Sequence, residues 1–171
     1  FFFQAEDGIR DRLSLVGSGA IRSYSLGPVV HYADLVECLP YDDAVYMLKV
    51  TGTQLERMIR HILRDEAFQG EHTEFYQFSH GMRIVWSRSG QVFRELTLDG
   101  EVLHADRLYS VAMQKYHYNN LKPFLNITLE EAEQNGKIRV LSTSARDVVE
   151  EYLTVNQHLS REVEGRLVVE A

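Results

Sequence analysis

Apolar residues return at helical spacing most clearly in one segment, where Leu55, Met58, Ile59, Ile62 and Leu63 fall on one side of a 3.6-residue repeat. Thr53, with Glu56 three residues on, predicts a capping box at its start. A second box, Thr128 with Glu131, opens a helix that Asn135-Gly136 closes. Two further helices are expected: Tyr32 to Leu39, stopped by Pro40, and Ala145 to Asn156, burying Val148, Val149, Tyr152 and Val155.

Elsewhere the apolar runs are short or alternate with polar residues. Strands are expected at Leu13–Val16, Ala44–Val50, Phe75–Phe78, Met82–Trp86, Val92–Leu98, Leu108–Met113 and Ile138–Leu141. His80-Gly81, Ser89-Gly90 and Asp99-Gly100 supply the tight turns between the middle ones. Helices and hairpins without a regular βαβ rhythm predict an α+β fold, a mixed or antiparallel sheet core covered by helices.

The 171 residues have the length of one domain, and 44% hydrophobic content is enough to bury a core. A net charge of −7 argues against a nucleic-acid polymer or a polybasic membrane contact as partner. No apolar run approaches the ~18 residues that would span a bilayer. Cys38 is alone, so no intrachain disulfide exists; compartment stays open, with a slight lean to the cytoplasm.

Residues 1–11 read as a non-native leader, because Gln4-Ala5-Glu6-Asp7-Gly8-Ile9-Arg10-Asp11 resembles the in-frame translation of a sequencing-library adapter. On that expectation the genuine domain is 12–171, its net charge is −5, and the natural chain began further upstream.

Catalytic machinery is sparse. The histidines at 31, 61, 72, 80, 104, 117 and 158 show no metal-ligand spacing, no nucleophile elbow is present, and Asp42-Asp43 and Glu130-Glu131 read as turn and cap residues. The informative stretch is Gly17-Ser18-Gly19-Ala20-Ile21-Arg22. Gly17 and Gly19 allow close approach of backbone to a ligand, and Arg22 offers a forked, charge-assisted pair to a phosphate. Alone, such a loop reads first as a structural turn.

Its company is more specific: Leu39-Pro40-Tyr41, then Lys49-Val50-Thr51-Gly52-Thr53-Gln54-Leu55, then Tyr109 through Tyr116, and finally Val163-Glu164-Gly165-Arg166-Leu167-Val168. The ordered set resembles the C-terminal domain of the 5'-nucleotidase family, of the bifunctional metallophosphatase/5'-nucleotidase type. The resemblance implies that Arg22 holds a substrate phosphate and that Tyr41 and Tyr116 clamp a nucleobase, their rings about 7 Å apart around it. It implies no cofactor and no metal in this chain. Two divalent metal ions are expected in an N-terminal metallophosphoesterase domain, the partner of this one in the intact phosphomonoester hydrolase.

Departures from the family pattern concern the substrate. Gly17 stands where the family has asparagine, and Ala20 replaces a glycine. Asn119-Asn120-Leu121-Lys122-Pro123 occupies the place of Gly-Gly-Asp-Gly, so Lys122 falls where an aspartate orients the nucleoside. Asn119 and Asn120 are the candidates to replace its hydrogen bonds. Two other expectations stay open: a phosphometabolite-binding module without hydrolysis, and a structural cover for the metal domain.

Overall fold

Alternation along one strand sets the architecture. In the computed structural model, which describes residues 11–23, 25–70, 74–160 and 162–171, β1 (Arg12–Gly17) turns Leu13 and Leu15 into the main core and Val16 into a second one. Successive side chains of a strand point to opposite faces, so this sheet is covered on both sides. Apart from Asp11, the adapter-like leader lies outside the described residues.

The chain continues through a 3-10 turn (Ser18–Ala20), α1 (Tyr32–Cys38), β2 (Val45–Thr51), α2 (Gly52–Ile62), a second 3-10 turn (Asp65–Phe68), β3 (Tyr76–Phe78), β4 (Met82–Ser87), β5 (Val92–Leu98) and β6 (Glu101–Val102). Then come β7 (Leu108–Gln114), α3 (Lys115–Asn119), α4 (Leu121–Leu125), α5 (Leu129–Gln134), β8 (Arg139–Ser142), α6 (Ala145–Val155) and β9 (Leu167–Glu170). Two sheets result, in the orders β3-β1-β7-β2-β8 and β6-β5-β4-β9. Each is antiparallel except for one parallel pair, β1 with β7 and β4 with β9. The fold is α+β, as the pattern predicts.

The main core joins both sheets through α2. Leu55, Met58, Ile59 and Ile62, with Leu63 at its C-cap, are fully buried against Leu48, Val50, Ile84 and Trp86. Each such side chain contributes about 1.5–3 kcal/mol of apolar burial. Truncating Ile59 to Ala would cost about 2–5 kcal/mol. The second core lies on the opposite face, where Val16, Val45 and Ala112 meet Leu35 and Leu39 of the α1 region and Ala145 and Val149 of α6.

Several boundaries differ from expectation, each for a local reason. The capping box of α2 is Thr51 with Gln54, not Thr53 with Glu56: the Thr51 hydroxyl accepts from Gln54 N, and Gln54 Oε1 accepts from Thr51 N. Thr53 instead donates to the Ala105 carbonyl, and Glu56 pairs with Arg60. The box at Thr128 and Glu131 forms as predicted. Asp99 and Gly100 both take positive φ, 52° and 79°, which a two-residue hairpin of this hand requires. After Ser89-Gly90 the left-handed residue is Gln91 (φ 49°) rather than the glycine. Val155, expected to be buried, is 76% exposed at the last residue of α6. The sequence pattern also passes over α3, α4 and β9.

Candidate functional site

Strand register gathers Gly17–Arg22, the Tyr41 segment and Tyr116 at one end of the larger sheet; Lys49–Leu55 lies at the other end of β2, and Val163–Val168 leads into β9 of the smaller sheet. β2 and β7 run antiparallel with Val45 opposite Gln114, and β1 runs parallel to β7 with Ser14 opposite Ala112. The ends of β1 and β7 and the start of β2 therefore share an edge of the domain. Gly17–Arg22, the segment around Tyr41, and α3 with Tyr116 all leave from there. Ala44 and Lys115 lock the last two together, since Lys115 N donates to the Ala44 carbonyl at 2.8 Å.

Arg22 and Tyr41 are in contact. The Arg22 backbone N–H donates to the carbonyl of Cys38, where α1 ends, at 2.9 Å, which places its side chain beside the turn that follows. Its guanidinium lies 5.4 Å from the Tyr41 ring centroid, with Nη2 3.5 Å from the hydroxyl. Among the described residues Arg22 has no carboxylate partner. Tyr41 is 56% exposed, and its segment is fastened by Asp42. The Asp42 carboxylate accepts from Ser144 Oγ (2.7 Å) and from the Arg146 N–H (3.1 Å), while Arg146 also donates to the Leu39 carbonyl (3.0 Å). Ser144 in turn caps α6 through Asp147 N.

Tyr116 is 53% exposed and is supported by rings instead of ions. Its edge meets His117 at a centroid distance of 5.4 Å, and Phe124 of α4 lies at 5.7 Å. His117 is only 2% exposed, and its Nδ1 shares a 3.0 Å hydrogen bond with the Tyr76 hydroxyl. Burial lowers the His117 pKa, against an opposing pull from Glu74 and Asp43. Burial likewise raises that of Tyr76, with Glu74 and Tyr116 adding to it. Neutral imidazole is the form this environment favours.

The space opened by the two glycines is already filled. A Cβ on Gly17 would lie 2.3 Å from His117 Nε2 and 2.4 Å from Glu74 Oε1, so any larger residue collides with both. Glu74 Oε1 also accepts from Gly19 N at 2.7 Å and stands 3.5 Å from Ser18 Oγ. Asparagine, the family residue, cannot replace Gly17 without moving His117. Around α3, Asn119 is exposed; the Asn120 side chain donates to the Tyr116 carbonyl (2.7 Å), and Lys122 Nζ to Asn126 Oδ1 (3.0 Å).

Glu74, His117, Asp42, Ser144 and Arg146 are thus additional residues that shape the site. Sequence signals for them are faint, since Asp42 looks like a turn residue and His117 like one of several scattered histidines. His72 lies outside the described residues. Among the described residues no three His, Cys, Asp or Glu side chains converge as a metal-binding group, and no helix is long and apolar enough to cross a membrane.

The family model described as 5'-nucleotidase, C-terminal domain matches residues 4–126. The chain belongs to this family of domains. Among solved structures it is similar to a 5'-nucleotidase precursor from Thermus thermophilus, with a TM-score of 0.72 and 18% identity over 92% of this chain and 31% of that one. It is similar also to the NAD nucleotidase of Haemophilus influenzae (TM-score 0.68, 14% identity, 92% and 29% covered). A third is the sulfate thiohydrolase SoxB of Thermus thermophilus (TM-score 0.63, 17% identity, 92% and 28% covered). The chain spans about a third of the length of these proteins. No curated protein sequence matches it. The substrates named for the three differ, so the shared fold does not by itself choose one.

Proposed function

We propose that this chain is the nucleotide-recognition domain of a two-domain, metal-dependent phosphomonoester hydrolase of the 5'-nucleotidase type. On this reading Arg22 takes the phosphate, Tyr41 and Tyr116 sandwich the base, and Gly17, Gly19, Asn119 and Asn120 border the ligand. Two divalent metal ions, bound by an upstream domain, supply Lewis-acid activation of the attacking water. On this reading the part played by this chain is binding and orientation of the substrate.

The observation that carries the reading is the Arg22–Tyr41 contact at the same end of the sheet as the exposed Tyr116. A cation without a carboxylate partner among the described residues and two half-exposed rings share one end of the sheet. Base stacking contributes about 1–3 kcal/mol per ring face and tolerates any base. Calorimetric titration with AMP tests it: the chain binds AMP, and Tyr116→Ala loses affinity while keeping its fold. AMP affinity unchanged by that substitution, or no binding at all, counts against the clamp. The isolated chain should hydrolyse AMP no faster than background with added magnesium or manganese, and robust turnover by purified material contradicts the division of labour.

One observation favours a second reading, a phosphometabolite-binding module without nucleotide hydrolysis. Lys122 and Asn120 spend their side chains on internal hydrogen bonds and leave the aspartate of the family pattern without a replacement. Preference for a non-nucleoside phosphate over AMP would select it.

A further inference from the structure

We propose that Glu74 is an internal anion that holds the Gly17–Gly19 loop shut, and that a phosphate-bearing ligand must displace it. The inference rests on the assignment of this loop and Arg22 to the anionic end of the ligand. It adds a gate to that end, and with it discrimination between phosphorylated and unphosphorylated ligands.

The Glu74 carboxylate lies where an incoming anion would lie. Oε1 takes the Gly19 N–H at 2.7 Å, stands 3.5 Å from the Ser18 hydroxyl, and fills the volume beside the Gly17 Cα. Phosphate oxygens accept hydrogen bonds from the same donors, so the two anions compete for one place. They cannot share it, because two like charges in contact repel. Arg22 is proposed to break the tie: its guanidinium lies against Tyr41 and has no carboxylate partner among the described residues, which leaves its charge for the phosphate of a base-clamped nucleotide.

The scaffold allows the exchange without loss of the loop. Ser18 N donates to the Phe75 carbonyl at 2.7 Å, and Phe75 N donates back to Ser18 Oγ at 3.4 Å. The first bond joins two backbones and the second is accepted by the Ser18 hydroxyl, and neither uses the Glu74 side chain, which can therefore rotate away while Phe75 keeps Ser18 in position. On the far side the buried His117 ring blocks retreat inward, leaving outward motion as the open route. A ligand that has lost its phosphate no longer outcompetes the carboxylate, and Glu74 returns. The gate thereby favours release of the dephosphorylated product.

The test is calorimetric titration of the 171-residue chain and its Glu74→Gln and Glu74→Ala variants with inorganic phosphate, AMP and adenosine. If the closed form holds about nine-tenths of the population, removing it tightens phosphate and AMP by about tenfold in Glu74→Ala, with Glu74→Gln between, and leaves adenosine unchanged. Phosphate tightened in the variants, with AMP no better than phosphate, supports the gate while removing the nucleotide clamp. AMP bound with equal affinity by all three proteins keeps the clamp and overturns the gate. No binding of any probe by any of them overturns both. Should the variants fail to fold, the wild-type chain decides by NMR. Added phosphate must shift the Gly19 amide and the Glu74 carboxylate together, and a Glu74 resonance indifferent to phosphate overturns the proposal.

Discussion

Tyr41 and Tyr116 are exposed to nearly the same degree, yet the two sides of the site are built from different chemistry. The Tyr41 side is tied down by a carboxylate, a hydroxyl and a guanidinium: Asp42, Ser144 and Arg146. The Tyr116 side rests on packed rings, with His117 almost fully buried beneath it and bonded to Tyr76. Charged hydrogen bonds near the surface are partly replaced by water when lost, whereas a buried ring leaves a cavity and an orphaned polar partner. The two sides should therefore fail differently under mutation and under acid.

The largest difference is expected from His117→Ala. It opens a cavity and strands the Tyr76 hydroxyl, and should lower stability by about 2–4 kcal/mol, read as a fall in denaturant midpoint. A loss no greater than a surface substitution would remove the contrast. Next comes Tyr116→Ala, which should weaken AMP binding by about 1–3 kcal/mol while changing stability far less than His117→Ala. The reverse ranking would make Tyr116 a core residue. Asp42→Ala should cost about 1–2 kcal/mol, from the lost bonds to Ser144 and to the Arg146 N–H. It should also weaken AMP binding by loosening Tyr41, and intact AMP affinity would separate that segment from the ligand.

Acid gives the smallest effect and the sharpest contrast. The His117 pKa is lowered in the folded chain, so the unfolded chain takes up its proton first as pH falls. This contribution to stability is complete above the unfolded value of about 6.5 and declines as pH drops from there toward the lowered one, by at most about 1.4 kcal/mol per pH unit. Thermal melts of the native chain and of His117→Gln between about pH 7.5 and 5 should diverge on this account. Parallel curves would show that the buried imidazole is not the group responsible.

Periodicity reveals what is repeated and hides what is paired. The apolar face of α2 is unmistakable because five side chains obey one period and all five are buried. Thr128 and Glu131 are equally plain, since both ends of that box lie within one turn. The same logic misplaces the α2 cap by two residues, because Thr51-x-x-Gln54 and Thr53-x-x-Glu56 satisfy one pattern and only the backbone path distinguishes them. α3 and α4 are five residues each, too short to show a period, and Pro123 looks like a breaker although it sits in a first turn, where proline is tolerated. In the candidate site, the motifs locate Arg22, Tyr41 and Tyr116 along the chain. Nothing local announces that Glu74 meets Gly19 or that Asp42 meets Ser144, 55 and 102 residues away.

The parallel pairing of β9 with β4 bears on the order in which the molecule assembles. β4, β5 and β6 are joined by short turns and can zip up as soon as they are synthesised, whereas Arg83 hydrogen-bonds the carbonyl of Gly165 from 82 residues away. Until that distant segment emerges, β4 presents one bare edge, with Ile84 and Val85 on it, to any neighbouring chain. During translation this edge is open to pairing with another copy. A chaperone-dependent yield that disappears when Ile84–Ser87 is already paired would be the cellular sign of that delay.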